Sequence, residues 1–73
     1  MKPIVFTLHA RQRLTRRGVS QDEARRTIRT PDRVQRARSG RLKATKKIAS
    51  SSVHVIYGEG DAAIVVVTGY RDK

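Results

Sequence analysis

Four side chains near the start of this 73-residue chain have the types and spacing to do chemistry together. His9, Arg13, Arg16 and Arg17 stand at i, i+4, i+7 and i+8, so in a helix they share one face. Stacked cations repel one another unless an anion lies against them. A phosphate suits that task, because the planar arginine fork meets it with two parallel hydrogen bonds. The alternative is a solvated helix face, with arginine outnumbering lysine 12 to 5 through genomic base composition; Arg11 and Arg16 are read that way. Metal-free cleavage of RNA needs a base for the 2′-hydroxyl, an acid for the leaving 5′-oxygen and cations around the phosphorane. His9, Lys46 or Lys47, the arginines and Tyr70 are of the right chemical types. His54 sits within a strand-like run and reads as an outward-facing or satisfied structural histidine.

Other chemistries lack their residues. There is no cysteine, which excludes a disulfide framework and a thiolate zinc site. His9 and His54 are far apart, and neither has carboxylates at ligand spacing. No Gly-rich phosphate loop, Ser-His-Asp set or His-Glu-x-x-His run is present. No metal and no cofactor are therefore expected.

Charge points to a polyanion as partner. The chain carries 17 Lys+Arg against 6 Asp+Glu, a formal net charge of +11, and its isoelectric point is about 11.6. Between Arg11 and Lys47 lie 14 of the 17 basic residues and only three acids, Asp22, Glu23 and Asp32. With Phe6, Tyr57 and Tyr70 as the aromatics, the stacking platform of an RRM or of most OB-folds cannot be built, so phosphates and shape would dominate any nucleic-acid contact. A helix-turn-helix fits poorly, since no third helix follows and the chain continues into sheet. The apolar run Ile4-Val5-Phe6 is too short for a secretory segment, and the stretch from Ala62 to Val67 is too short for a membrane helix. A cytoplasmic protein without a membrane partner is expected.

The elements that would position these residues form a single α+β domain, residues 1–73. Thr7 caps a first helix running to about Arg17, closed by Gly18 in the left-handed conformation. Ser20-Gln21-Asp22-Glu23 fits a capping box, with Val19 placed as a hydrophobic staple. The second helix runs to about Arg29, where Thr30-Pro31-Asp32 stops it. Its apolar face, Ala24 and Ile28, is thin, and a partner is expected to complete the fold as well as cover the charge. Arg33 to Arg38 is a weak strand and Ser39-Gly40 a turn. Arg41 to Ala49 alternates, with Leu42, Ala44 and Ile48 on one face and Arg41, Lys43, Thr45 and Lys47 on the other. Lys46 falls on the apolar face, which marks an edge, a bulge or a functional position. Ser50-Ser51-Ser52 is the next turn, Val53 to Tyr57 a strand, Gly58-Glu59-Gly60-Asp61 a tight hairpin and Ala62 to Tyr70 a strand covered by helices on one face. The expectation is two N-terminal helices packed on a three- or four-stranded antiparallel sheet, with Ile4 to Phe6 as an optional further strand.

The run His9-Ala10-x-x-Arg13-x-x-x-Arg17-Gly18-Val19-Ser20, then Glu23, Pro31-Asp32, Gly40-Arg41 and Val66-Val67-Thr68-Gly69-Tyr70, resembles a family of small bacterial domains of unknown function, the 4258 family, from about Thr7 to Tyr70. That family is similar to the RelE/ParE toxin superfamily, two helices on an antiparallel sheet, whose members include mRNA endonucleases and also gyrase poisons that cleave no RNA. The resemblance implies a toxin-like, RNA-directed protein: a metal-independent endoribonuclease neutralised by an acidic antitoxin-like partner or, alternatively, a non-catalytic nucleic-acid- or protein-binding module. On the first reading His9 is the acid or base, Tyr70 an orienting or leaving-group residue, and Arg13 and Arg17 clamp phosphate. Arg41, Lys46 and Lys47 add nucleic-acid contacts.

Overall fold

A computed structural model describes residues 2–72. In chain order the elements are β1 (Ile4–Phe6), α1 (Leu8–Arg16), α2 (Gln21–Arg29), β2 (Arg33–Arg36), a short 3-10 turn (Arg38–Gly40), β3 (Leu42–Ile48), β4 (Ser51–Glu59) and β5 (Ile64–Asp72). The sheet has the order β1-β5-β4-β3-β2. Strands β2 to β5 form an antiparallel meander, and β1 joins its far edge parallel to β5. The expected antiparallel sheet of three or four strands is therefore a mixed sheet of five, and a strand precedes the helices. Three apolar residues cannot reveal in which direction they will pair; that is set by the helical crossover that carries the chain from β1 across the sheet.

Both helices start and stop where their local chemistry requires. The Thr7 hydroxyl accepts from Ala10 N at 3.0 Å. Ser20 and Glu23 close a reciprocal capping box, Glu23 N donating to Ser20 Oγ and Ser20 N to Glu23 Oε1, each at 3.0 Å. At the end of α1, Gly18 takes φ +74°. Gly18 N then reaches Thr15 O at 3.2 Å and Val19 N reaches Leu14 O at 2.9 Å, the two bonds of a Schellman motif. Val19 is buried beneath the turn.

The helices cover one face of the sheet, α1 on β5 and α2 on β3 and β4. The core between them is Phe6, Ala10, Leu14, Val19, Ala24, Ile28, Ala44, Val53, Val55, Tyr57 and Val66. Burial, and secondarily the charge of Glu59, push the Tyr57 phenol above its ordinary range. At Gly69 a Cβ would come within 2.6 Å of Leu14 Cδ2, so glycine there is what lets α1 close on β5.

Three boundaries differ from expectation. The turn between β3 and β4 is Ala49-Ser50, with Ala49 at φ 56°, and Ser51 and Ser52 already pair with Ile48 and Lys47. The β4–β5 loop is displaced toward Gly60–Ala63, closed by Gly60 N donating to Ala63 O at 2.9 Å. The β2–β3 connection takes up Ala37 to Arg41, because Ser39 and Gly40 are both left-handed.

Arg71, on β5, ties the sheet to the helix pair. Its guanidinium donates to Gly18 O at 2.5 Å and to Glu23 Oε2 at 2.6 Å. The backbone hydrogen bond from Ser20, then the bond from Arg71, hold the Glu23 carboxyl below the usual carboxylate range. A carboxyl whose folded pKa lies below its unfolded value of about 4.3 stabilises the fold above that pH, and the contribution disappears as pH falls through the folded value. Glu23→Gln is thus expected to be less stable than wild type at pH 7, with the gap closing below about pH 4. Urea midpoints of both proteins from pH 7 to pH 2.5 measure it; a gap independent of pH would assign the loss to packing.

Candidate functional site on the open face of the sheet

The face of the sheet away from the helices is organised in rows, because every strand contributes alternate residues to it. One row runs Gln35, Lys43, Ile56, Thr68 across β2, β3, β4 and β5. The next runs Arg33, Thr45, His54, Tyr70 across the same strands. A third brings Lys47, Ser52 and Asp72 into line. Arg41 precedes this set on the same side of the chain as Lys43.

His54 is the hub of the middle row. It is 8% exposed; its Nδ1 lies 2.9 Å from Thr45 Oγ1 and its Nε2 lies 3.1 Å from Asp72 Oδ1. The Asp72 carboxylate only accepts, so Nε2 carries a proton, and a neutral ring then accepts the Thr45 hydroxyl at Nδ1. The Tyr70 ring stacks on the imidazole with centroids 4.7 Å apart and planes inclined by 23°. Lys43 Nζ stands 6.0 Å from the centroid of the Tyr70 ring. Tyr70 itself is half-buried. His54 thus keeps both nitrogens occupied and presents its ring face to Tyr70.

The residues singled out in the sequence divide between two sides of the molecule. Tyr70, Arg41 and Lys47 belong to the open face. His9, Arg13 and Arg17 are exposed on α1 and at its C-cap, on the helix side. Gly69 faces Leu14 of α1, so the adjacent Tyr70 points the other way and the sheet separates it from His9. Those two side chains do not share a centre. Lys46 also faces the helices, where Nζ donates to Thr30 O at 2.9 Å and satisfies the end of α2. Its place on the apolar face is explained by that capping role.

Few cations are neutralised. Among the described residues, only Lys2, Arg25, Arg71 and His54 stand in ion-pair distance of a carboxylate. Arg33, Arg38, Arg41, Lys43 and Lys47 have no such partner, and they surround the Tyr70–His54 pair or the row beside it. Sequence reasoning missed Lys43, Thr45 and Asp72 as members of one cluster. Alternation puts Lys43 and Thr45 on one face, but only the strand register brings His54, Tyr70 and Asp72 to them.

Among the described residues no group of three or more His, Cys, Asp or Glu is placed to hold a metal ion, and no helix is long and apolar enough to cross a membrane. No curated protein and no solved structure gives a significant match to the chain. Residues 6–71 do match a family model, that of a domain of unknown function (DUF4258), and with nearly its whole length so matched the chain belongs to that family.

Proposed function

We propose that this protein is a toxin-like, RNA-directed protein that holds its target by the phosphate backbone across the open face of the sheet. The observation that carries the reading is the set Arg33, Arg41, Lys43 and Lys47, four cations on one face without a carboxylate partner among the described residues. Their repulsion is relieved when a polyanion covers them. The similarity of the 4258 family, whose motifs the sequence carries, to the RelE/ParE superfamily supports RNA as that polyanion. An acidic antitoxin-like protein would cover the same charges.

Cleavage is the sharper form of the reading. Tyr70 sits amid the cations with its ring held by His54, so a 2′-hydroxyl or leaving oxygen placed at its phenol would have an acid or base and a nearby Lys43. The non-catalytic form is favoured by His54 itself, whose two ring nitrogens are both engaged.

One pair of assays tests both. Fluorescence anisotropy with a single-stranded RNA is expected to show log K falling linearly with log salt, with a slope of about −3 for four phosphate contacts. Absence of binding, or a slope near zero, sinks the proposal. Incubation of RNA in EDTA, with and without ribosomes, is expected to give metal-independent cuts that Tyr70→Phe slows by at least tenfold. Intact RNA beside retained binding leaves the non-catalytic module.

A further inference from the structure

The pairing of β4 with β5 slips by one residue. Ile56 pairs with Thr68 but Tyr57 pairs with Val66, which leaves Val67 as an extra residue in β5. In an unbroken strand Val67 and Thr68 would point to opposite faces; with the bulge between them, both line one cleft on the open face. Its volume is about 480 Å³, within the range of roughly 300–1,000 Å³ found for small-ligand sites.

The cleft is polarised along the first row. At the β4–β5 end its lining is Ile56, Val67 and Thr68. At the β2–β3 end it is Gln35, Arg36, Ala37, Arg38, Arg41 and Lys43, four of them cations. The row spans three strand spacings, about 14 Å, enough for one nucleotide laid lengthwise. We propose that the cleft is a nucleotide subsite, with the base on Ile56 and Val67, its edge read by Thr68, and its phosphate held by Lys43, Arg38 and Arg41. The inference rests on the RNA-directed reading and deepens it: the face as a whole would track phosphates, whereas this cleft would select a base. A hydroxyl both donates and accepts, so Thr68 discriminates among base edges where the hydrophobic lining cannot.

The ligand chemistry, a nucleoside phosphate, could come from a free mononucleotide or from one residue of an RNA. Titration of the full chain with the four 5′-mononucleotides, the matching nucleosides and inorganic phosphate, followed by backbone amide NMR, tests the subsite directly. At least one mononucleotide is expected to bind tenfold or more tightly than inorganic phosphate, shifting amides around Ile56 and Thr68. Thr68→Val, nearly isosteric at a half-buried position, is expected to narrow the spread among the four bases about fivefold, the worth of one hydrogen bond, and to leave phosphate binding unchanged. Lys43→Met is expected to weaken mononucleotides and inorganic phosphate alike. Competition of the bound mononucleotide by an RNA oligomer identifies the RNA as its source. A mononucleotide that binds selectively and is not displaced by RNA supports the subsite with a free nucleotide as its ligand, and removes the RNA-directed reading. Mononucleotides that bind no better than inorganic phosphate overturn the subsite, and RNA binding in that case leaves the broader reading standing.

Discussion

Leu14→Ala is expected to lower the unfolding free energy by about 3 kcal/mol, within the 2–5 kcal/mol usual for a buried leucine. Leu14 is 1% exposed and stands where α1 meets β5. The loss is large against the total, which for a chain of this length is about 4–11 kcal/mol. The seam explains why the site should resist collapse. Gly69 has no side chain to move into the space, and the backbone carbonyl of His54 closes the other side, 3.1 Å from where a Cβ at Gly69 would lie. Gly69→Ala alone is expected to destabilise by about 1–3 kcal/mol through overpacking. Combined with Leu14→Ala it should cost less than the sum, because the new methyl group occupies part of the vacated volume. Urea denaturation of the two single variants and the double variant measures the coupling, and strict additivity would mean that the two positions do not meet.

Simultaneous replacement of Arg41, Lys43 and Lys47 by alanine is expected to reduce RNA affinity about a hundredfold at 0.1 M salt. Each phosphate contact on a single strand contributes about 0.7 to the salt slope. Three lost contacts flatten it by about 2, and extrapolation from 1 M salt turns that change into two decades at 0.1 M. The matching triple replacement of Arg13, Arg16 and Arg17 on the helix side removes the same formal charge. It is expected to weaken binding less than about tenfold, through the long-range field alone. A larger loss from the helix variant than from the sheet variant would move the interface to α1, where His9 and Arg13 stand exposed.

The sequence discloses what is decided within one turn of chain and hides what is decided by register. The caps at Thr7 and Ser20, the left-handed Gly18 and the stop after Arg29 depend on residues no more than four apart, and all of them are readable. The arrangement on the open face depends on two turns. A turn at Ser50-Ser51-Ser52 would set Thr45 opposite Tyr57; the shorter Ala49-Ser50 turn sets it opposite His54. That difference decides whether a Thr45–His54–Asp72 cluster exists at all. The bulge at Val67 is equally hidden, since Ile64 to Val67 is apolar at every position and gives no alternation to break. Lys46 was conspicuous among apolar neighbours, yet its partner is a backbone carbonyl, which carries no residue-type signal.

The place of β1 in the sheet has a consequence for how the molecule comes into being. Ile4, Val5 and Phe6 pair with Ile64, Val65 and Val66, about sixty residues downstream. The strand that flanks β1 is also the one on which α1 packs and from which Arg71 reaches the turn between the helices. Such distant pairings make folding slow relative to helical domains of this size. During synthesis, at about 5–20 residues per second, the helices emerge seconds before the surface that buries Ala10 and Leu14. Until β5 arrives, α1 has no strand to pack on, and the rows of the open face lack Thr68, Tyr70 and Asp72. The cations of that face are thus synthesised before the Tyr70–His54 pair is complete, and the finished face waits for Asp72.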